Sequence, residues 1–255
     1  MTLDVNLRKW IDTQGYPLEM RAAEALRQSE AGWDHGRFYE DPVTGKLREI
    51  DLVGYFDHEP TSVHVVIECK HSPDKPWVIF ANDFKMMAPW GFVCAVPATQ
   101  PLQDDISGFR GKPGVTDLCF FAKPKRTGFN FVHAKMGGST HPDNQDNAFQ
   151  AVRGVTAACA ALADKHGNLG HRVLYVPVVV VDSPLFLCFL ALDGGEYVLE
   201  RVDSGALLAP GPNGDRVLVQ VVSIEALPRF LESLGRDATV FAQLLADGEP
   251  ERVTT

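Results

Sequence analysis

The chain has 255 residues, 45% of them hydrophobic and 22% charged, with a formal net charge of −9. These are the proportions of a globular protein able to bury a sizeable core, and they exclude collagenous, wholly disordered and disulfide-stapled classes. The five cysteines form no CxxC pair, so a reduced protein with cysteines as small core residues is expected, without a zinc knuckle.

The opening MTLDVNLRKWIDTQG lacks the basic and apolar regions of a secretory signal. LYVPVVVV and LFLCFLAL are too short to span a bilayer as helices, so the expectation is a cytoplasmic protein with no membrane partner. Leu3 to Asp12 reads as a short helix stopped near Gly15. Pro17 suits the first turn of a second helix, where Leu18, Ala22, Ala25 and Leu26 make an apolar stripe. Pro42 and Gly45 mark a turn before the strand LREIDLVGYF; the cluster DHEPTS turns the chain, and VHVVIECK is the partner strand.

HSPDKPWVIFANDFKMM is expected to become helical at Pro76. GFVCAV and LCFFAK read as short strands, and AKMGGSTHPDNQ as a loop. NAFQAVRGVTAACAALADKHG is a helix with Ala148, Val152, Val155, Cys159 and Leu162 on one face. RVLYVPVVVVD is almost wholly apolar, as a central strand covered on both sides requires. PLFLCFLALD, EYVLERV and RVLVQVVS are further strands, and IEALPRFLESLGRDATVFAQLLA is a closing helix. The order predicts an α/β sandwich.

Charge is unevenly spread. Residues 106–142 hold six basic side chains, Arg110, Lys112, Lys123, Lys125, Arg126 and Lys135, against one acid, Asp117. From residue 190 onward eleven acids stand against five arginines. A polyanion is therefore expected to meet the middle of the chain, with Lys123, Lys125, Arg126 and Lys135 as backbone contacts and Phe109, Phe129 and Phe131 nearby for stacking.

Charges also stand inside the two hairpin strands, and burying an ionised group without a partner is costly. Symmetric closure of DHEPTS pairs Phe56 with Val63, which counts Asp51 to a position opposite Glu68. Lys70, two residues further, shares their face, while Ile50 and Leu52 fall on the other with Ile67 and Cys69. Facing carboxylates repel, and a divalent cation resolves the conflict. Mg²⁺ or Mn²⁺ takes hard oxygens, waters and phosphate oxygens, and an adjacent ammonium can orient water or stabilise charge developing on a phosphate. That is the chemistry of phosphodiester hydrolysis.

Asp51, a gap, then Glu68-Cys69-Lys70 resembles the D…(D/E)xK signature of the PD-(D/E)XK nuclease superfamily. GYPLEM…ALR…GW looks most like Mrr-type restriction endonucleases, whose first core helix opens with a glutamate after a hydrophobic residue. The resemblance covers about residues 16–70 with its motifs and 144–182 by pattern; Ile50 stands where a proline usually precedes the Asp. It implies a restriction-endonuclease-like αβββαβ core with a central mixed sheet flanked by helices. Residues 71–143 would then be an insertion, and 183–255 a C-terminal elaboration of extra strands and a helix, all in one domain. The resemblance further implies that Asp51 and Glu68 hold Mg²⁺ while Lys70 assists attack of water on the scissile phosphate. Glu19 would contribute from the first core helix, with Glu24 as second choice, and Gln150 would fill an auxiliary position on the later helix. Nucleic acid, DNA foremost, is the implied partner; many relatives act as homodimers.

Other readings stand beside this one. An exposed Lys–Glu pair on an edge hairpin would contribute at most ~1 kcal/mol and mean nothing more. A nucleic-acid-binding or scaffold module could keep the fold without catalysis, although the complete Asp/Glu/Lys set argues against it. A regulatory protein could use the acidic C-terminal part to bind a basic partner. His133, His141 and Asp143 lack the ligand spacing of a transition-metal site, MGGST could cradle a phosphate or merely turn, and no nucleophile elbow supports acyl transfer.

Overall fold

The structure, a computed structural model, describes residues 2–72, 75–82, 88–110, 112–134, 147–191 and 195–247. Two helices open the chain, α1 (Leu3–Ile11) and α2 (Tyr16–Gln28). α1 buries nothing, whereas α2 carries Pro17 in its first turn and buries Leu18, Ala22, Ala23, Ala25 and Leu26 on one stripe. Three strands follow: β1 (Gly32–Glu40), β2 (Leu47–His58) and β3 (Thr61–Lys70). Then come β4 (Trp77–Asn82), the short helices α3 (Pro89–Val93) and α4 (Gln100–Gly108), and β5 (Thr127–His133). The long helix α5 (Asn147–Gly167) leads into β6 (Val173–Val181). β7 (Leu185–Leu190), β8 (Tyr197–Val202), β9 (Ser204–Pro210), β10 (Arg216–Ser223) and α6 (Leu227–Ala246) complete the described chain. No described helix is long and apolar enough to cross a membrane.

All ten strands form one mixed sheet in the order β1-β2-β3-β6-β10-β9-β5-β4-β7-β8. β1, β2 and β3 pair antiparallel, and β6 lies parallel to both β3 and β10. Every residue of β6 is buried because its side chains alternate between two cores. Leu174, Val176, Val178 and Val180 join Leu52, Phe56, Val65, Ile67 and Cys69 beneath α2, α3 and α6. Val173, Tyr175, Val179 and Val181 join Val53, Val66, Val155, Cys159 and Leu162 beneath α5. The strands β4 and β5 lie within 71–143 yet pair with β7 and β9, so this stretch and the C-terminal strands complete the same sheet.

Several sequence expectations give way. The stretch expected to turn helical at Pro76 is strand β4 as far as it is described, because Trp77, Ile79 and Ala81 are buried at period two. GFVCAV contributes to α3 instead of a strand: Pro89 opens a turn that buries Phe92 and Val93 together. LCFFAK forms no strand, since Phe120 and Phe121 are buried side by side, 4.7 Å apart edge to face, and both pack on Phe241 of α6. β1, α4, β5 and β9 have no counterpart among the sequence expectations.

α2 sits directly on β2 through Gly54. A Cβ there would come within 2.5 Å of Leu26 Cδ2 and 2.7 Å of Val65 Cγ1. Gly54→Ala is expected to destabilise the protein by about 1–3 kcal/mol through overpacking. Chemical denaturation would read this directly, and an unchanged midpoint would mean that α2 can lift away freely.

Candidate active site

Phe56 pairs with Val63 as expected, and the β2–β3 ladder runs on to Leu52 opposite Ile67. There it ends. On the other side of β2, His35 pairs with Leu52 and Arg37 with Ile50, which sets Gly36 against Asp51. Gly36 has φ +67°, a left-handed conformation that a side chain would strain. Both strands lose their alternation at this step. Leu52 faces the α2 side while Val53 and Ile50 both face the α5 side. The expectation that Ile50 and Leu52 share a face is therefore corrected: the faces change at the unpaired step of Gly36 and Asp51, while the register on either side of it is the same.

Asp51 itself is paired in neither ladder. Its Oδ2 accepts the Cys69 backbone N–H at 2.7 Å, replacing a ladder bond with a side-chain one. Glu68, one residue before Cys69, turns its carboxylate toward α5: a Cβ added at Gly154 would stand 3.8 Å from Glu68 Oε2. Lys70 Nζ donates to Glu68 Oε1 at 2.6 Å. Glu19 approaches from the first turn of α2, where acids are favoured by the helix dipole, and meets His35 Nε2 at 3.0 Å. Tyr39 donates its hydroxyl to the Gly154 carbonyl at 3.1 Å, tying β1 to α5 beside Glu68.

The electrostatics follow from this crowding. Burial pushes the Asp51 carboxyl up to about 7, with the Glu68 charge adding to it; the Cys69 N–H opposes the rise, Glu19 adds a little, and Lys70 subtracts a little. Burial alone would lower Lys70, but the Glu68 carboxylate and its hydrogen bond outweigh it and hold the ammonium above its ordinary range. The Cys69 thiol is driven well up by burial and the surrounding acids, which removes it as a nucleophile.

Asp51 and Glu68 can thus offer a metal one oxygen each that no hydrogen bond among the described residues engages, Asp51 Oδ1 and Glu68 Oε2. Among the described residues no group of three or more His, Cys, Asp or Glu side chains is spaced to hold an ion. Two carboxylates with the remaining positions taken by water suit Mg²⁺, which dehydrates reluctantly, and not Zn²⁺, which prefers three or four protein ligands. The desolvated Asp51 carboxyl, its proton affinity raised beside the Glu68 charge, is also what a cation would relieve.

Other expected residues are placed differently. Glu24 is exposed and held below its usual range, at about 2, by Arg27 and then Gln28 on its own helix. It is not among the charges acting on Asp51, whereas Glu19 is. Gln150 is exposed on α5, one turn before Gly154 and so on the same side as the Glu68 contact. Lys123 and Lys125 are exposed ahead of β5, and Arg126 lies 3.5 Å over the Phe189 ring of β7; none of the three acts on Asp51 or Lys70. Lys135, MGGST, His141 and Asp143 lie outside the described residues.

Just past Lys70, Asp182 binds His71 and accepts the Ser72 N–H at 2.8 Å, and Ser72 Oγ meets His133 Nε2 at 2.5 Å. These contacts pin the ends of β3, β5 and β6 together. His35 and Tyr39 escaped the sequence reading because their strand, GWDHGRFYE, has polar residues where alternation would show and a glycine at its centre. Comparison of the chain with protein-family models, curated proteins and solved structures finds no match.

Proposed function

We propose that the chain is a cytoplasmic, Mg²⁺-dependent nuclease with a restriction-endonuclease-like core, hydrolysing phosphodiester bonds in DNA. The observation that carries this reading is that Asp51, bonded to the Cys69 N–H, feels the Glu68 charge beside Lys70, at the step where β1 and β2 lose their alternation. The element order α2-β1-β2-β3-α5-β6, with β6 parallel to β3, supports it, since it agrees with an αβββαβ core.

Asp51 Oδ1 and Glu68 Oε2 would hold the ion, which when bound supplies Lewis-acid polarisation of the phosphate and an acidified water. Lys70 stays charged beside Glu68, so it serves as a donor that aligns the water or meets charge developing on the phosphate, and not as a base. Glu19 can accept a hydrogen bond from a water on the α2 side. The exposed Lys123 and Lys125 are free to meet the nucleic-acid backbone away from the cleaved bond.

The test is incubation of supercoiled plasmid with Mg²⁺ or Mn²⁺ and the wild-type or Glu68→Ala protein. Nicking or linearisation by wild type alone is expected. Tight DNA binding without cleavage under either metal would replace the nuclease with a non-cleaving binding module of the same fold.

A further inference from the structure

We infer that His35 is a positioning residue for the metal centre proposed above, acting through Glu19; the inference rests on that reading. A carboxylate only accepts hydrogen bonds, so the 3.0 Å contact to Glu19 Oε2 requires a proton on His35 Nε2. Glu19 has reason to leave without it. It belongs to a trio of acids in which its charge raises the proton affinity of Asp51, and mutual repulsion would drive it toward solvent. His35 anchors Oε2 and so fixes where the Glu19 charge stands relative to Asp51.

The backbone shows how β1 delivers this imidazole. Asp34 and Arg37 both bond Tyr55, whose ring packs on the α5-side core, while His35, between them, reaches α2. Strict alternation would put His35 and Arg37 on one face. The left-handed Gly36 separates them, so the unpaired step that it shares with Asp51 leaves His35 aimed at Glu19. Glycine, histidine and aspartate are thus one device: Gly36 makes the kink, Asp51 occupies it on β2, and His35 uses it on β1.

Outer-shell partners of ligating groups are worth about 10–100-fold in metal affinity. Calorimetric titration of Mn²⁺ into the full chain is expected to show a loss of that size in His35→Ala and its recovery in His35→Gln, whose amide can donate. In a Glu19→Ala background, His35→Ala should cause no further loss, because its effect runs through the missing carboxylate. A merely structural histidine would lower affinity equally in both backgrounds, and that result would overturn the inference. Unchanged affinity in His35→Ala would overturn it too while leaving the metal centre intact. Absence of Mn²⁺ binding to wild type would instead remove the centre itself, and with it any role for His35.

Discussion

Replacing Asp51 by asparagine is expected to abolish metal binding and cleavage while making the metal-free protein more stable above neutral pH. The sign follows from the raised proton affinity. With its carboxyl at about 7 in the folded protein and near 3.8 when unfolded, Asp51 binds more protons folded than unfolded between those values. Stability from this group is therefore greatest below pH 4 and is lost as pH rises through 7. The substituted amide would keep an oxygen for the Cys69 N–H without the charge. The interval between the two proton affinities would cap the gain at about 4 kcal/mol, and because Glu68 shares the repulsion about 2 kcal/mol is the expected size. Thermal melts at pH 5 and pH 8 would show it as a rise of about 4–8 °C in Tm at the higher pH and a clearly smaller rise at pH 5. A variant that melts lower than wild type at pH 8 would mean that the carboxylate is stabilised by its surroundings, contrary to a site awaiting a cation.

Lys70→Met should separate binding from chemistry. Removing the ammonium frees Glu68 Oε1, so Mn²⁺ affinity is expected to hold or tighten, while cleavage falls by about 10²–10³-fold, the loss typical of one stabilising donor. The half-buried Glu68 loses its partner, and the variant should be less stable without metal, recovering when metal is added. Single-turnover cleavage at saturating Mn²⁺ is the measurement that decides. Wild-type rates would reduce Lys70 to a counter-charge for Glu68 and leave the water to be aligned by another group.

The hairpin was the most legible part of the sequence because its register depends on turn length and alternation alone, and Phe56 does stand opposite Val63. RVLYVPVVVVD announced a doubly covered strand by having no polar face, and α5 announced itself by period. What could not be read was the point where the rules fail. Nothing in DHGRF signals that Gly36 adopts φ +67°, and hence nothing signals that Ile50 changes face or that His35 finds Glu19. Trp77 to Asn82 was misread because the preceding Pro76 suggested a helix start, while the deciding contacts with β5 and β7 come from residues far along the chain. The choice between Glu19 and Glu24 likewise needed the third dimension, since both are acids on one helix and only the local partners differ.

The parallel pairing of β3 with β6 has a consequence for how the protein is made. His71 and Asp182, which meet just beyond that pair, are 111 residues apart in sequence. During synthesis β1, β2 and β3 can form a local meander early, but the partner of β3 and the Gly154 wall beside Glu68 emerge much later. In that interval Val63, Val65, Val66 and Ile67 line an open strand edge, the kind of surface that templates aggregation. Such distant closure makes folding slow and favours expression at low temperature with chaperones in supply. It also delays the proposed centre: a nascent chain carries Asp51 and Glu68 long before the pocket around them can close.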